Sequence, residues 1–260
     1  KKYVMLAGSD MDFDSGIIAN PHRVNNYGVP GYLMHYAINN ADALIVQHEG
    51  QALLLQKNFK RSAKVFRNPI DLVIDCPRSI EPRSILWVGK SDSVKRPELV
   101  LDLAELLPEY KFEMILSFSS LAIHNRCVER VDQLSNVTIY NYIPYHKVEQ
   151  YFATAKVLLN TSRFEGFPNA FLQAAKFGVP IVSFQLDPGE MLSKYNSGFV
   201  CDGDLNLVKH RIVSLATHPV LYKEKSDSCL KYVTQFHSKD LIIDQYGDAI
   251  KSIADLGLRK

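Results

Sequence analysis

The residues best suited to chemistry lie in two clusters. In the first, the apolar run Ile85-Leu86-Trp87-Val88 gives way to Gly89 and Lys90, with Lys95 and Arg96 just ahead of Pro97-Glu98. Glycine lets a ligand approach the backbone, Pro97-Glu98 opens a helix whose first N–H groups lack intrahelical partners, and three cations together match a diphosphate. The same residues also fit a solvated turn. The second cluster is Ser162-Arg163-Phe164-Glu165-Gly166-Phe167-Pro168-Asn169-Ala170, followed by Phe171-Leu172-Gln173-Ala174-Ala175-Lys176. A strand ending at Asn160, a loop bearing glycine and proline, and a helix starting near Asn169 or Ala170 would aim the positive end of a helix dipole into a cleft, where a departing diphosphate would sit well. Gly178-Val179-Pro180 ends that helix and launches a buried strand, so this part of the pattern is scaffold.

Alternating strands and helices must position these clusters. Periodicity predicts a strand over residues 3–7, a helix over 31–40, a strand over 43–46 and a helix over 49–59. The pattern breaks after Pro69, and the stretch 70–82, with Pro77 and Pro82, reads as a linker, which puts a domain boundary near residue 70. A fresh series follows: strands over 84–88, 112–116, 137–140, 157–160, 180–184 and 198–201, and helices over 96–107, 121–134, 145–153 and 171–176. Two closing helices are expected, over 205–216 and 237–254. Such alternation implies mostly parallel sheets covered on both faces, with ligands at the carboxyl ends of the strands.

Glu165-Gly166-Phe167-Pro168, with Gln173 eight residues on and Gly178-x-Pro180, is similar to the signature of family four of the GT-B retaining glycosyltransferases. Val88-Gly89-Lys90 with Lys95 fits its phosphate motif, and Ala41 to Gln47, Asn68-Pro69-Ile70-Asp71 and Tyr142-Ile143-Pro144 agree in order and spacing. The resemblance implies an α/β enzyme of GT-B type with two Rossmann-like domains: residues 1–70 as the second half of an acceptor-side domain, 71–240 as a complete nucleotide-sugar domain, and 241–260 as a closing helix. A truncated chain is therefore expected. By the same resemblance Lys90 and Lys95 would neutralise the diphosphate and Glu165 would sit at the sugar. Gly89, Gly166, Phe167, Pro168, Asn169 and Ala170 would line the donor, partly through backbone N–H groups, and Tyr142 and Ile143 would meet the base. Asp10 would stand on the acceptor side, although a turn carboxylate fits it equally well.

Two positions depart from the family pattern. Gln173 stands where a glutamate usually holds the ribose hydroxyls, which removes a charge-assisted bond, and Lys90 replaces an arginine, which removes bidentate geometry. The implied reaction is transfer of a sugar from a UDP or GDP sugar to a hydroxyl acceptor, a glycan or a lipid-linked one, without a metal or other cofactor. Two rivals remain: a non-catalytic nucleotide-binding or scaffold module, and a GT-B nucleotide-sugar epimerase.

Composition sets the outer limits. Of 260 residues, 47% are hydrophobic and 22% charged, enough apolar content for one large or two small cores, and a formal net charge of +2 gives no reason to expect a nucleic-acid partner. Cys76, Cys127, Cys201 and Cys229 show no zinc or disulfide spacing, which points to a reducing, cytoplasmic setting; peripheral membrane contact is what the family resemblance implies. Asp10, Asp12 and Asp14 alternate as metal ligands can, but a calcium loop would need glycine and glutamate where Ser15 and Pro21 stand.

Overall fold

The computed structural model describes residues 2–255 except 15, 17–19, 21, 25–27, 75 and 80, so Ser15 and Pro21 lie outside the described residues. Contacts divide the chain into two units, the first holding residues 1–71, Phe164–Pro168 and residues from Phe236 onward, the second Leu72–Arg163 and Asn169–Gln235.

In the first unit, strands β1 (Val4–Leu6), β2 (Ala43–Val46) and β3 (Lys64–Val65) form a parallel sheet with β2 in the centre. The apolar run Leu44-Ile45-Val46 is buried, as a central strand requires. Helix α1 (Gly31–Asn40) buries Gly31, Met34 and Ile38, and α2 (Glu49–Phe59) buries Gln51, Leu55 and Phe59, each set one stripe of a 3.6-residue period. Ala7, Phe13, Ile38, Leu44, Val46, Leu55 and Phe59 make the core. Arg61 ends α1 by donating to the carbonyls of Ile38, Asn39 and Ala41, which the helix leaves unpartnered.

The second unit holds β4 (Ser84–Lys90), α3 (Glu98–Leu106), β5 (Lys111–Ser117), α4 (Leu121–Val131), β6 (Val137–Tyr140), α5 (Tyr145–Thr154) and β7 (Ala155–Asn160). It continues with α6 (Asn169–Lys176), β8 (Ile181–Ser183), β9 (Gly198–Val200), α7 (Leu205–Thr217) and most of α8 (Pro219–His237). The strands pair in parallel in the order β6-β5-β4-β7-β8-β9. The order reverses between β4 and β7, and the crevice at their carboxyl ends is where doubly wound sheets take ligands. Gly178, at φ +60°, ends α6: its N–H donates to the Ala175 carbonyl and that of Val179 to Ala174, a paired closure that favours glycine.

One element departs from expectation. Helix α8 fills residues 219–236, to which the sequence pattern assigns no element between the two expected closing helices, and runs on to His237. Its buried side includes Lys225 along with Cys229, Tyr232 and Val233, so its pattern does not read as an apolar stripe. The last helix, α9 (Lys239–Asp255), falls close to the expected 237–254, and its contacts lie in the first unit. The Tyr246 ring packs 4.5 Å from that of Phe66, which accounts for its place. Among the described residues no helix is long and apolar enough to cross a membrane.

Within the first unit the chain crosses itself beside a buried histidine. Ile70 donates to the His237 carbonyl, Lys239 donates back to Ile70, and His237 Nδ1 lies 2.8 Å from the Asn68 carbonyl. Burial pushes the His237 imidazole down to about 4 from an ordinary 6.5, the Asn68 carbonyl opposing this and Arg67 adding to it. Between those values the unfolded chain binds the extra proton, so this contribution is whole above pH 6.5 and is lost as the pH falls to 4. The swing is roughly 3 kcal/mol at full expression. Urea unfolding from pH 7.5 to 4.5 should show a steeper loss in the natural chain than in His237→Gln.

Candidate functional site

The carboxyl end of β4 and the loop after it form a braced corner. Asp92 Oδ1 accepts from the N–H groups of Val94 and Lys95, at 3.0 and 2.8 Å, and Thr161, just past β7, donates its hydroxyl to the Lys95 carbonyl at 2.6 Å. Lys95 is thus pinned at the reversal of strand order, half-buried, while Lys90 at the end of β4 is exposed. Gly89 has a packing reason as well: a Cβ there would meet the Trp87 indole at 2.6 Å, and that indole donates to Thr161 Oγ1 at 2.9 Å.

Arg96 does not join the lysines. It takes a left-handed backbone, donates to the Thr161 carbonyl and to Gln185 Oε1, at 2.7 and 3.0 Å, and stacks 4.6 Å from the centre of the Phe184 ring. Burial, then the Arg163 charge, lowers its pKa. Its guanidinium ties three loops together, a role that the motif alone did not reveal.

After β7, Asn160 and Ser162 are buried, and α6 begins at Asn169 with its first-turn N–H groups lacking helical partners. Asn169 is exposed, and Ala170 and Gln173 are half-buried. Loop residues Glu165 to Pro168 belong by their contacts to the first unit. Glu165 is half-buried, whereas Gly166, Phe167 and Pro168 are buried. The Phe167 ring lies 4.7 Å from that of His237, and its N–H donates to Gln47 Oε1 at 2.7 Å, so that N–H is already engaged. Past β6, Tyr142 is 76% exposed and Ile143 half-buried, while the Tyr140 ring packs 4.8 Å from that of Tyr151.

The three aspartates of the first loop separate in function. Asp12 accepts from the N–H groups of Gly8 and Ser9, Asp14 accepts from Gly16 and pairs with Arg23, and Asp10 lies 3.1 Å from His48 Nε2. Burial raises the Asp12 pKa, and the two backbone bonds oppose it. Among the described residues no group of three or more His, Cys, Asp or Glu stands arranged for a metal. No histidine stands next to Asp10 in the loop, yet folding brings His48, the residue just before α2, to it. Asp10 also lines a cleft of about 300 Å³ with Met11, Asp14, Leu54, Lys57 and Asn58.

All four cysteines are free thiols, and burial raises those of Cys127 and Cys201 to about 11.

Comparison with known proteins extends this picture. The chain is 24% identical over 225 residues to an uncharacterized glycosyltransferase of Haemophilus influenzae, covering 82% of this chain and 62% of that protein. It is 30% identical over 128 residues to the lipopolysaccharide 1,6-galactosyltransferase of Escherichia coli K12, covering 46% of this chain and 35% of the relative. The chain thus spans less than two thirds of the length of these relatives. The crystal structure of a mutant of S. aureus TarM, in complex with fondaparinux, α-GlcNAc-glycerol and UDP, superposes with a TM-score of 0.75 at 18% identity, over 95% of this chain and 50% of that one. The architecture is that of the GT-B glycosyltransferases. The sequence model of glycosyl transferases group 1 matches residues 82–218, which cover the lysine corner, α6 and the strand reversal, and the chain belongs to that family.

Proposed function

We propose that the protein is a retaining glycosyltransferase that moves a sugar from a nucleoside diphosphate sugar to a hydroxyl acceptor. One observation carries this reading: at the reversal of strand order, Thr161 holds Lys95 at the carboxyl ends of β4 and β7, and α6 begins shortly after on the same chain. As the bond from the anomeric carbon to the diphosphate breaks, negative charge grows on the phosphate oxygens. Lys90, Lys95 and the first turn of α6 would meet it, and no metal is required for that step.

In this reading Gly89, Gly166, Pro168, Asn169 and Ala170 line the donor and Glu165 faces the sugar. Phe167 shapes the loop from its buried position, Tyr142 and Ile143 meet the base, and Gln173 holds the ribose. Residues 1–70 serve the acceptor, which enters beside Asp10, and residues 71–240 serve the donor. Retention follows from attack on the face that the diphosphate leaves. UDP is the first base to test, because UDP is named in the TarM complex, and GDP the second. A glycan or lipid-linked acceptor agrees with the lipopolysaccharide galactosyltransferase relative; the proposed place of work is the cytoplasm, at a membrane surface.

Gln173 favours a second reading, a nucleotide-binding module without turnover, since the ribose loses a charged partner. The test is proton NMR of reactions containing isotope-labelled UDP and GDP sugars and a panel of glycan acceptors. Expected is a product with the anomeric configuration of the donor, formed only with acceptor. An inverted product contradicts retention, an epimer formed without acceptor marks an epimerase, and binding without turnover favours the module.

A further inference from the structure

The loop from Glu165 to Pro168 is held by more than its own sequence. Gln47, in the link between β2 and α2, places its side-chain oxygen 2.7 Å from the Phe167 nitrogen and accepts that N–H. On the other side of the same residue, Asn68 Nδ2 donates to the Phe167 carbonyl at 3.3 Å. Both peptide groups of Phe167 are therefore oriented by side chains remote in sequence, and its ring is buried against His237.

Gly166 completes the grip. A Cβ there would fall on Gln47 Oε1 and lie 2.5 Å from the Gly8 carbonyl, so glycine is the residue that lets the loop lie this close. Next to it the Asp10 N–H reaches the Glu165 carbonyl at 3.4 Å. Gln47 is itself fixed, because its N–H donates at 2.8 Å to Oε1 of Gln51, a fully buried side chain one helical turn into α2.

We propose that Gln47 is a positioning residue for sugar transfer: its side-chain carbonyl sets the backbone of the loop that leads into α6, and through it the donor groups of that loop. The inference rests on the transferase reading for its consequence, though not for its geometry. With the Phe167 N–H bonded to Gln47, that N–H is turned away from any ligand of the loop. Loss of the Gln47 acceptor removes the bond that orients this buried peptide and lets it rotate toward water.

Two variants and two readouts test this. Gln47→Ala removes the acceptor, whereas Gln47→Glu keeps an oxygen at the same reach. Amide hydrogen exchange at Phe167 should accelerate at least tenfold in Gln47→Ala and stay slow in Gln47→Glu, with thermal unfolding near that of the natural chain in both. UDP affinity, by calorimetry, should fall about tenfold in the first and recover in the second. Unchanged exchange at Phe167 in Gln47→Ala would overturn the proposal, as would a Gln47→Glu variant as impaired as Gln47→Ala. Should the natural chain bind no nucleoside diphosphate, the transferase reading fails while the exchange result still decides the role of Gln47 in holding the loop.

Discussion

Replacing Lys95 by alanine should weaken UDP binding by about ten- to a hundredfold, the loss expected when one charge-assisted bond to a phosphate disappears. Lys95 lies half-buried at the strand reversal, its carbonyl held by Thr161 and its N–H by Asp92. The side chain therefore extends from a fixed backbone, and a fixed cation meets a growing charge with little reorganisation. Lys90→Ala should weaken binding less, because its exposed ammonium is screened by water. Calorimetric titration of both variants, with circular dichroism to confirm folding, gives the comparison. Equal losses, or a larger loss at Lys90, would move the diphosphate away from the place assigned to it.

The largest effect on stability should come from Gly198→Ala. Gly198 begins β9 and pairs in register with Ile181 of β8. An added Cβ would run into the Ile181 carbonyl oxygen and lie 2.9 Å from its carbon and 3.1 Å from its nitrogen. These are backbone atoms of a buried strand, so neither side can give way without breaking the pairing. The substitution should cost roughly 3 kcal/mol or more, a fall in melting temperature of roughly 6–12 °C for a chain of this size. Gly8→Ala is the matched control, since nothing lies within 4 Å of a Cβ there. A Gly198→Ala protein that melts within a degree or two of the natural one would show that β9 is not held as described.

Local patterns were the part of the fold that the sequence made legible. Residues 31–40, 43–46 and 49–59 match α1, β2 and α2 to the residue; β2 is a short unbroken apolar run, and α1 and α2 flank it at the spacing of a strand between helices. The helix start is bracketed at Asn169 or Ala170, ahead of the periodic stretch 171–176, and its glycine closure at Gly178 is readable from Gly178-Val179-Pro180. Helix α8 was missed because it buries Lys225 and Ser226 lies within it, the latter donating to the Gly178 carbonyl, and both spoil an apolar stripe.

The site divides in the same way. Gly89, Lys90 and Lys95 stand out by their spacing near a strand end, and in the structure the first two end β4 and the third lies in the loop after it. What spacing cannot show is which group a side chain meets after folding. Arg96 looks in sequence like a third phosphate ligand and is engaged with Thr161 and Gln185 instead. Asp10 meets His48 across a separation of 38 positions, and Gln47 meets Phe167 across 120. Gly89 could be read as a place for ligand approach, but only the folded strand reveals the indole above it.

The central claim, that this chain takes a nucleoside diphosphate at the corner of β4 and β7, is tested most directly by calorimetric titration of the natural protein with UDP, GDP and ADP in metal-free buffer. The account predicts one-to-one binding of UDP, or failing that of GDP, in preference to ADP. Absence of heat from all three at millimolar concentration would contradict it.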